Sequence, residues 1–546
     1  MTNNNTRCEF TFSRHDDIGA AAAEDDSSFL ADCFVDNGDL DILVDCNNPR
    51  SLLVGRTGAG KSALINAVEY KCNNVIQLSP HSLSLNYIAN NNVISFFEAS
   101  GVNLSVFYGL LWKHIFVVEL LKEKFDIRNE DSQKNYARHI KSILYKKDSI
   151  KELAVDYLEN WGDKFWLTTE ERMHELTDKV EYALKSGIES KIPGIRVSAN
   201  GAARLSTEQK RQVVELGKKA VSEVQVRELE NIISILSEDI FTDPQKHYYI
   251  TIDMLDEDWA DDRIKFKLIK SLIDTIRRFR KVDNIKVIAA LREDLLYKVI
   301  HSTREPGFQE EKYISLYLHL NWTKLRLREL IEKRINFLIK RKYTKDSVSF
   351  NDIFPVNVNQ TPALDYILDR TYLRPRDVIL YLNECIRIAD NEPKITSTII
   401  KTAEEHYSNG RLQSLATEWL NIHPNLYCVT KMFIGMRASF RVSDITKEFI
   451  EEKYTEAIDQ IEDTTADPIT AQIEKLYSNE GNFSSIRNNV IRYLYLVGLL
   501  GIKKSGSSTI NWSYITNTFI SSGDIKPNSL IAIHPMFYRA LSINHK

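Results

Sequence analysis

The run Gly55-Arg56-Thr57-Gly58-Ala59-Gly60-Lys61-Ser62 sets glycines, a lysine and a hydroxyl at the spacing Gly-x-x-x-x-Gly-Lys-[Ser/Thr]. That spacing is a phosphate-binding loop. Its glycines let backbone amides close around an anion where a side chain would block them. Lys61 can reach the β- and γ-phosphates of a nucleotide, and Ser62 can ligate Mg2+. A helix opening at Lys61 adds free N–H groups and the positive end of its dipole. The candidate nucleotide-binding residues are therefore Gly55, Arg56, Thr57, Gly58, Ala59, Gly60, Lys61, Ser62 and Ala63. An [Asn/Thr]-Lys-x-Asp guanine-reading motif is absent, so the expected ligands are ATP and Mg2+.

Further charged residues fit around a bound nucleotide. Asp253 closes the apolar run His247–Ile252, about 190 residues after Lys61. A carboxylate at such a strand end holds Mg2+ beside the loop's hydroxyl, so Ser62 and Asp253 form the candidate metal site. One turn on, Asp256 or Glu257 can orient the attacking water as general base. The competing reading of that pair is a solvated helix start. Arg292 ends the run Ile285–Leu291, where a cation can sense the γ-phosphate or pair with Glu293 or Asp294. Arg304 sits in the turn Thr303–Gly307, the place from which oligomeric ATPases commonly supply a finger to a neighbouring nucleotide. Arg376, or Arg374, in Leu373-Arg374-Pro375-Arg376-Asp377 can contact phosphates from a lid; Pro375 suits the first turn of a helix.

These residues need a frame. An apolar run enters the phosphate loop and a helix-forming run, Ala63–Tyr70, leaves it. Further strands are expected at Asn74–Leu78, His247–Ile252, Ile285–Leu291 and Tyr313–Leu320, with helices at Asp262–Arg280 and Glu293–Thr303 between them. Alternating strands and helices make a parallel sheet covered on both faces. The expected class is α/β: a P-loop sheet with a large helical insertion at about residues 105–240, then a helical lid, then a mostly α C-terminus. The expected domains are a flexible N-terminus at 1–28, the core at 29–322, the lid at 323–410 and a C-terminal region at 411–546. Within the last, a helix over Val490–Leu500 and short strands at Gly501–Lys504, Thr509–Trp512 and Leu530–His534 suit a winged helix.

The chain has 546 residues, ordinary globular composition and a formal charge of −4, which argues against a generally basic nucleic-acid binder. Its six cysteines include no Cys-x-x-Cys pair, which fits a reducing cytoplasm and no zinc site. Leu104–Leu121 is apolar enough to suggest a membrane span, but Lys113, His114 and Glu119 interrupt it. Charges near mid-span are expensive, so a buried helix and no membrane contact are expected. The basic ends Arg277–Lys281 and Lys340–Lys342 complement helix dipoles.

With these residues in view, a resemblance can be stated. Gly55–Ser62, Ile252-Asp253-Met254-Leu255-Asp256-Glu257 and Arg374-Pro375-Arg376-Asp377 resemble the ASCE branch of P-loop ATPases. The Asp-x-Leu-Asp-Glu spacing is similar to NACHT and KAP ATPases of the STAND group. The Arg-Pro-Arg-Asp element resembles the second-sensor region of Orc/Cdc6-type ATPases. Gly307–Tyr313, Leu320-Asn321-Trp322 and His534–Phe537 resemble a bacterial family of stand-alone P-loop ATPases. Two positions depart from the branch: Met254 stands where a catalytic glutamate usually follows the aspartate, and Leu291-Arg292 replaces a polar first-sensor residue. The resemblance implies an ATP-driven switch, in a bacterial defence or signalling setting, with an unknown protein partner and a possible homo-oligomer. The alternative is a DNA-binding ATPase of the initiator or loader type using the winged helix; nucleic acid is the less favoured partner. A small-molecule kinase is a third and weaker fit.

The oligomer expectation is testable at Arg304. A finger accelerates hydrolysis by roughly 10³–10⁵ where it acts. Arg304→Ala is expected to lose turnover while keeping ATP affinity, and specific activity is expected to rise with protein concentration. A fully active Arg304→Ala protein would reduce this residue to a surface arginine.

Overall fold

The computed structural model describes residues 10–81, 99, 104–124, 207, 233, 241–303, 311–342, 348–458, 461, 463–465, 467–478, 480–503, 509–516 and 520–544. The chain divides into two units. One joins Gly38–Arg56 with Lys61–Leu320; the other joins Met1–Asn37, Thr57–Gly60 and Asn321–Lys546.

The first unit is built on strands β1 (Leu52–Gly55), β2 (Val75–Leu78), β3 (Tyr248–Ile252), β4 (Ile285–Arg292) and β5 (Tyr317–His319). They lie in the order β2-β3-β4-β1-β5, and every pairing is parallel. Every residue of β1 and β3 is buried, and so is all of β4 except Arg292. Such continuous apolar runs belong to a sheet covered on both faces. The helices Lys61–Lys71, Ser105–Lys124, Asp262–Phe279 and Glu293–Ser302 supply the cover. β4 lies between β1 and β3. The register sets Gly55 opposite Arg292, and Ile252 opposite Ala289. Asp253 therefore leaves the sheet at the same end as the phosphate loop, where open parallel sheets bind ligands.

Buried polar groups tie the lead-in of β1 to this sheet. Lys286 of β4 donates to the carbonyls of Ile42, Asp45 and Asn48 at 2.7, 2.6 and 3.2 Å. Burial pushes the Lys286 ammonium down to about 8. Tyr249 of β3 donates to the Val44 carbonyl at 2.7 Å. The turn before the phosphate loop is thus fixed from two central strands.

The helix Ser105–Lys124 is the stretch that suggested a membrane. Phe107, Tyr108, Leu111, Trp112 and Ile115–Val118 are all buried, and the Trp112 indole donates to Leu268 O at 2.9 Å. Among the described residues no helix is long and apolar enough to cross a membrane. The rest of the expected insertion, residues 125–240, lies outside the described residues apart from 207 and 233.

Two expectations change, one in this unit and one in the N-terminal part of the other. The strand expected at Tyr313–Leu320 begins as the helical turn Glu311–Ile314 and becomes β5 only at Tyr317. Tyr313 is held away from the sheet: its hydroxyl donates to Asp274 at 2.5 Å, and Lys270 lies over its ring. The N-terminus is not a loose lead-in from residue 10 on. Phe12 and Ile18 are buried, and the helix Ser27–Cys33 precedes the sheet unit altogether.

The second unit is mainly helical. Its first part contains the helices Lys324–Lys342, Pro375–Ile388 and Ser397–Glu418, with the short antiparallel pair β6 (Asn357–Val358) and β7 (Thr361–Pro362) interrupting a stretch expected to be wholly helical. Asp26 forms a buried ion pair with Arg334 of the first of these helices. Ser397–Glu418 is one continuous helix, so it runs through the boundary expected at residue 410. Beyond it lie the strand β8 (Ser439–Arg441), the helices Lys447–Ile458, Pro468–Tyr477 and Phe483–Val497, and the strands β9 (Leu500–Lys503) and β10 (Leu530–Ile533). The three strands pair antiparallel in the order β8-β10-β9. Between β9 and β10 lie the helical turns Ser513–Thr516 and Ser522–Asp524, so strand, helices, strand and strand follow in the winged-helix sequence only with these turns inserted before the last strand. Thr509–Trp512, expected as a strand, contributes only the bridge Asn511 to Ile502.

Candidate functional site

In the sheet unit, β1 ends at Gly55 and a helix starts at Lys61. The Lys61 ammonium turns back onto the carbonyls of Gly55 and Arg56 at 3.2 and 3.3 Å. Burial lowers its pKa; the carboxylates of Asp256 and Asp253 oppose that shift, and Arg292 adds to it. Lysine and both aspartates therefore share one electrostatic neighbourhood. Arg56 pairs with Glu293 at 3.4 Å.

Asp253 follows β3 directly. Its carboxylate accepts the Met254 N–H at 2.9 Å, and Met254 takes a left-handed φ of 63°. That turn separates Asp253 from the acidic pair, and the pair divides. Asp256 lies 3.5 Å from Arg292, whereas Glu257 pairs with His81 at 3.1 Å. Arg292 makes a two-pronged bond to Asp294, at 2.9 Å from Nε and 2.8 Å from Nη2. The ion pair weighed for Arg292 in the sequence is present, with Asp294 as partner and Asp256 on its other side.

The sequence reading passed over Glu69. It lies on the helix that starts at Lys61 and accepts from Thr251 of β3 at 3.0 Å. Burial raises its pKa, with Thr251 and Gln77 opposing and Asp253 adding to the rise. A sequence signal existed, since Glu69 is the lone acid of that helix, seven residues on from Ser62.

The loop tip, Thr57–Gly60, belongs to the helical unit. Gly58 and Gly60 have φ of 77° and 95°, which L side chains rarely adopt. A Cβ at position 58 would also lie 2.4 Å from the Cβ of Arg376. Three of the tip's four carbonyls each meet a donor from the helical unit. Thr57 O accepts from Arg374 Nη1 at 2.7 Å, Gly58 O from the Arg376 N–H at 3.4 Å, and Ala59 O from Trp322 Nε1 at 2.9 Å.

Arg374 is itself locked in place. It bonds Asp377 at 3.0 and 3.2 Å and approaches Glu418 at 3.4 Å; Arg411 reaches the same two carboxylates at 3.3 and 3.4 Å. Asp377 is fully buried and also accepts the Tyr372 N–H at 3.0 Å. Burial alone would raise the Asp377 pKa, but Arg374 and Arg411 outweigh it and hold the carboxyl below its ordinary range. Breaking one partner out of such a buried set costs about 3–5 kcal/mol, so the geometry is strongly fixed. The Arg376 guanidinium donates to Ala21 O at 3.1 Å. Of the two lid arginines, Arg374 grips the loop by its side chain and Arg376 by its backbone.

Arg304 lies outside the described residues. Among the described residues no group of three or more metal-binding side chains of the His, Cys, Asp or Glu type occurs. Asp253 with a serine hydroxyl is a different donor set, two oxygens to which water and phosphate add, and it suits Mg2+. The backbone amides of the tip and the Lys61 ammonium suit a polyphosphate.

Three comparisons bear on this chain. Residues 325–416 match the FunZ-associated C-terminal helical domain, a span from the helix Lys324–Lys342 to the last turns of Ser397–Glu418. The "Putative transposon gamma-delta 80.3 kDa protein" of Escherichia coli (strain K12) is 23% identical over 543 residues, which cover 97% of this chain and 68% of that protein. "Allergen Alt a 2" of Alternaria alternata is 26% identical over 161 residues, 29% of this chain and 81% of that one. A crystal structure of Cdc6p from Pyrobaculum aerophilum covers 92% of this chain and 91% of its own at 11% identity, with a TM-score of 0.28. At that score the likeness is too loose to argue from, and the P-loop assignment of the fold rests on the strand order and the loop itself.

Proposed function

We propose that this chain binds ATP with Mg2+ and hydrolyses it slowly, as a molecular switch. One observation carries the reading: a Gly-rich loop runs from a central parallel strand into a helix opening with Lys61 and Ser62, and Asp253 ends a strand at the same end of the sheet. Bound Mg2+ would supply charge neutralisation and Lewis acidity at the phosphates. Ser62 and Asp253 would hold it, and Lys61 would leave its two carbonyls for a phosphate. Asp256 is the better-placed general base of the acidic pair, because Glu257 is engaged by His81. Met254 at the usual glutamate position accounts for slow turnover. Kinship with NACHT and KAP ATPases, a cytoplasmic location and a homo-oligomer that includes an Arg304 finger are parts of this proposal. So is a contact of Arg376 with the phosphates once nucleotide is bound.

A second reading has its own observation. The order β8, three helices, β9, two helical turns, β10 suits a winged helix, a DNA-binding module in many proteins, and the relative at 23% identity carries a transposon name. A DNA-handling ATPase would bind duplex DNA through this module with a steep dependence on salt. Binding that does not weaken between 50 and 200 mM salt, or no binding at all, removes it.

Two substitutions test the first reading. Lys61→Ala is expected to abolish ATP binding by calorimetry while the chain stays folded, since the contact that decides affinity is with phosphate. Equal affinity in wild type and mutant would sink the assignment. Asp256→Asn is expected to retain ATP and slow hydrolysis by about 10²–10⁴, the range of general base catalysis. Glu257→Gln is expected to stay near wild type. The reverse pattern would move the base to Glu257.

A further inference from the structure

A peptide unit is planar and trans, so its C=O and the N–H of the next residue point to opposite sides. Fixing the carbonyl of one residue therefore aims the amide of its successor. In the loop tip the carbonyls of Thr57, Gly58 and Ala59 are held by Arg374, the Arg376 N–H and Trp322. The amides they aim are those of Gly58, Ala59 and Gly60.

We propose that Arg374 and Trp322 are positioning residues of the phosphate loop, which act on an anion only through these aimed amides. This rests on the nucleotide-binding reading above and specifies how the loop is prepared for it. Three features carry it. The Arg374 guanidinium is engaged through all three nitrogens by Asp377, Glu418 and Thr57 O, so it is a fixed clamp in the helical unit. A charged donor on Thr57 O polarises that peptide and strengthens the Gly58 N–H as a donor. Gly58 packs against Arg376 too closely for any Cβ, so the loop must keep this path while the helix Pro375–Ile388 stays where it is.

A clamp and a sensor differ in what they discriminate. Tip amides serve the phosphates that ATP and ADP share, whereas an arginine on the γ-phosphate serves ATP alone. The test measures affinities for Mg·ATP and Mg·ADP in wild type, Arg374→Gln and Trp322→Phe. Trp322→Phe keeps an aromatic ring in place while removing the N–H and part of the indole's bulk, so it decides the matter if Arg374→Gln does not fold. Both affinities are expected to fall together, by about tenfold per variant for one lost hydrogen bond of this kind. Loss confined to ATP, or no loss in a folded variant, overturns the proposal.

A second readout needs no nucleotide. Amide hydrogen exchange over residues 55–62 is expected to quicken in both variants, because the tip carbonyls lose a holder. If wild type binds neither nucleotide, the function proposed above fails, and exchange alone judges the clamp: unchanged exchange in both variants refutes it.

Discussion

The structure turns on a conflict inside the phosphate loop. Amides that converge on an anion must turn their neighbouring carbonyls away, and each carbonyl turned away needs a donor of its own. Here those donors are Arg374, the Arg376 N–H and Trp322, which hold the tip Thr57–Gly60 within the helical unit. The buried Asp377–Arg374–Arg411–Glu418 set makes sense in that light. It holds one guanidinium still against a backbone oxygen, at the expense of burying several charges.

Within the helical unit Arg374, which holds Thr57 O, lies over the ring of Tyr372. Tyr372 in turn packs against Tyr514 and His534, with ring centroids 4.9 Å from each, in the C-terminal part of the chain. His534 accepts the Met536 N–H and bonds the Tyr514 hydroxyl at 2.8 Å, so its ring is fixed at both nitrogens.

Much of the sheet was legible because its signals are local. Apolar runs of four to eight residues bounded by polar turns gave β1 to β4, and Gly-Lys-Ser marked the loop. β5 was misread at its start because Tyr313, a good strand residue, is claimed by Asp274 and Lys270 of a distant helix. β8 was missed because Ser439–Arg441 is too short to show alternation; its place is set by pairing with β10, far along the chain. At the site, Lys61 and Asp253 could be read from spacing. The division of Asp256 from Glu257 could not, since it depends on the left-handed turn at Met254. Trp322 stood in the sequence as part of Leu-Asn-Trp, but nothing there reveals that its indole ends on Ala59. Arg374 and Arg376 differ only in which way each faces, and two residues on either side of Pro375 look alike until the helix is placed.

The central claim is that the amides of Gly58, Ala59 and Gly60, aimed by the helical unit, receive nucleotide phosphate. The most direct measurement is a crystal structure of the full chain with Mg2+ and a non-hydrolysable ATP analogue. The account predicts the β-phosphate against those amides, the Lys61 ammonium moved from the Gly55 and Arg56 carbonyls onto phosphate, and Arg374 still on Thr57 O. A nucleotide bound elsewhere, or an Arg374 that has left Thr57 O for the γ-phosphate, would contradict it.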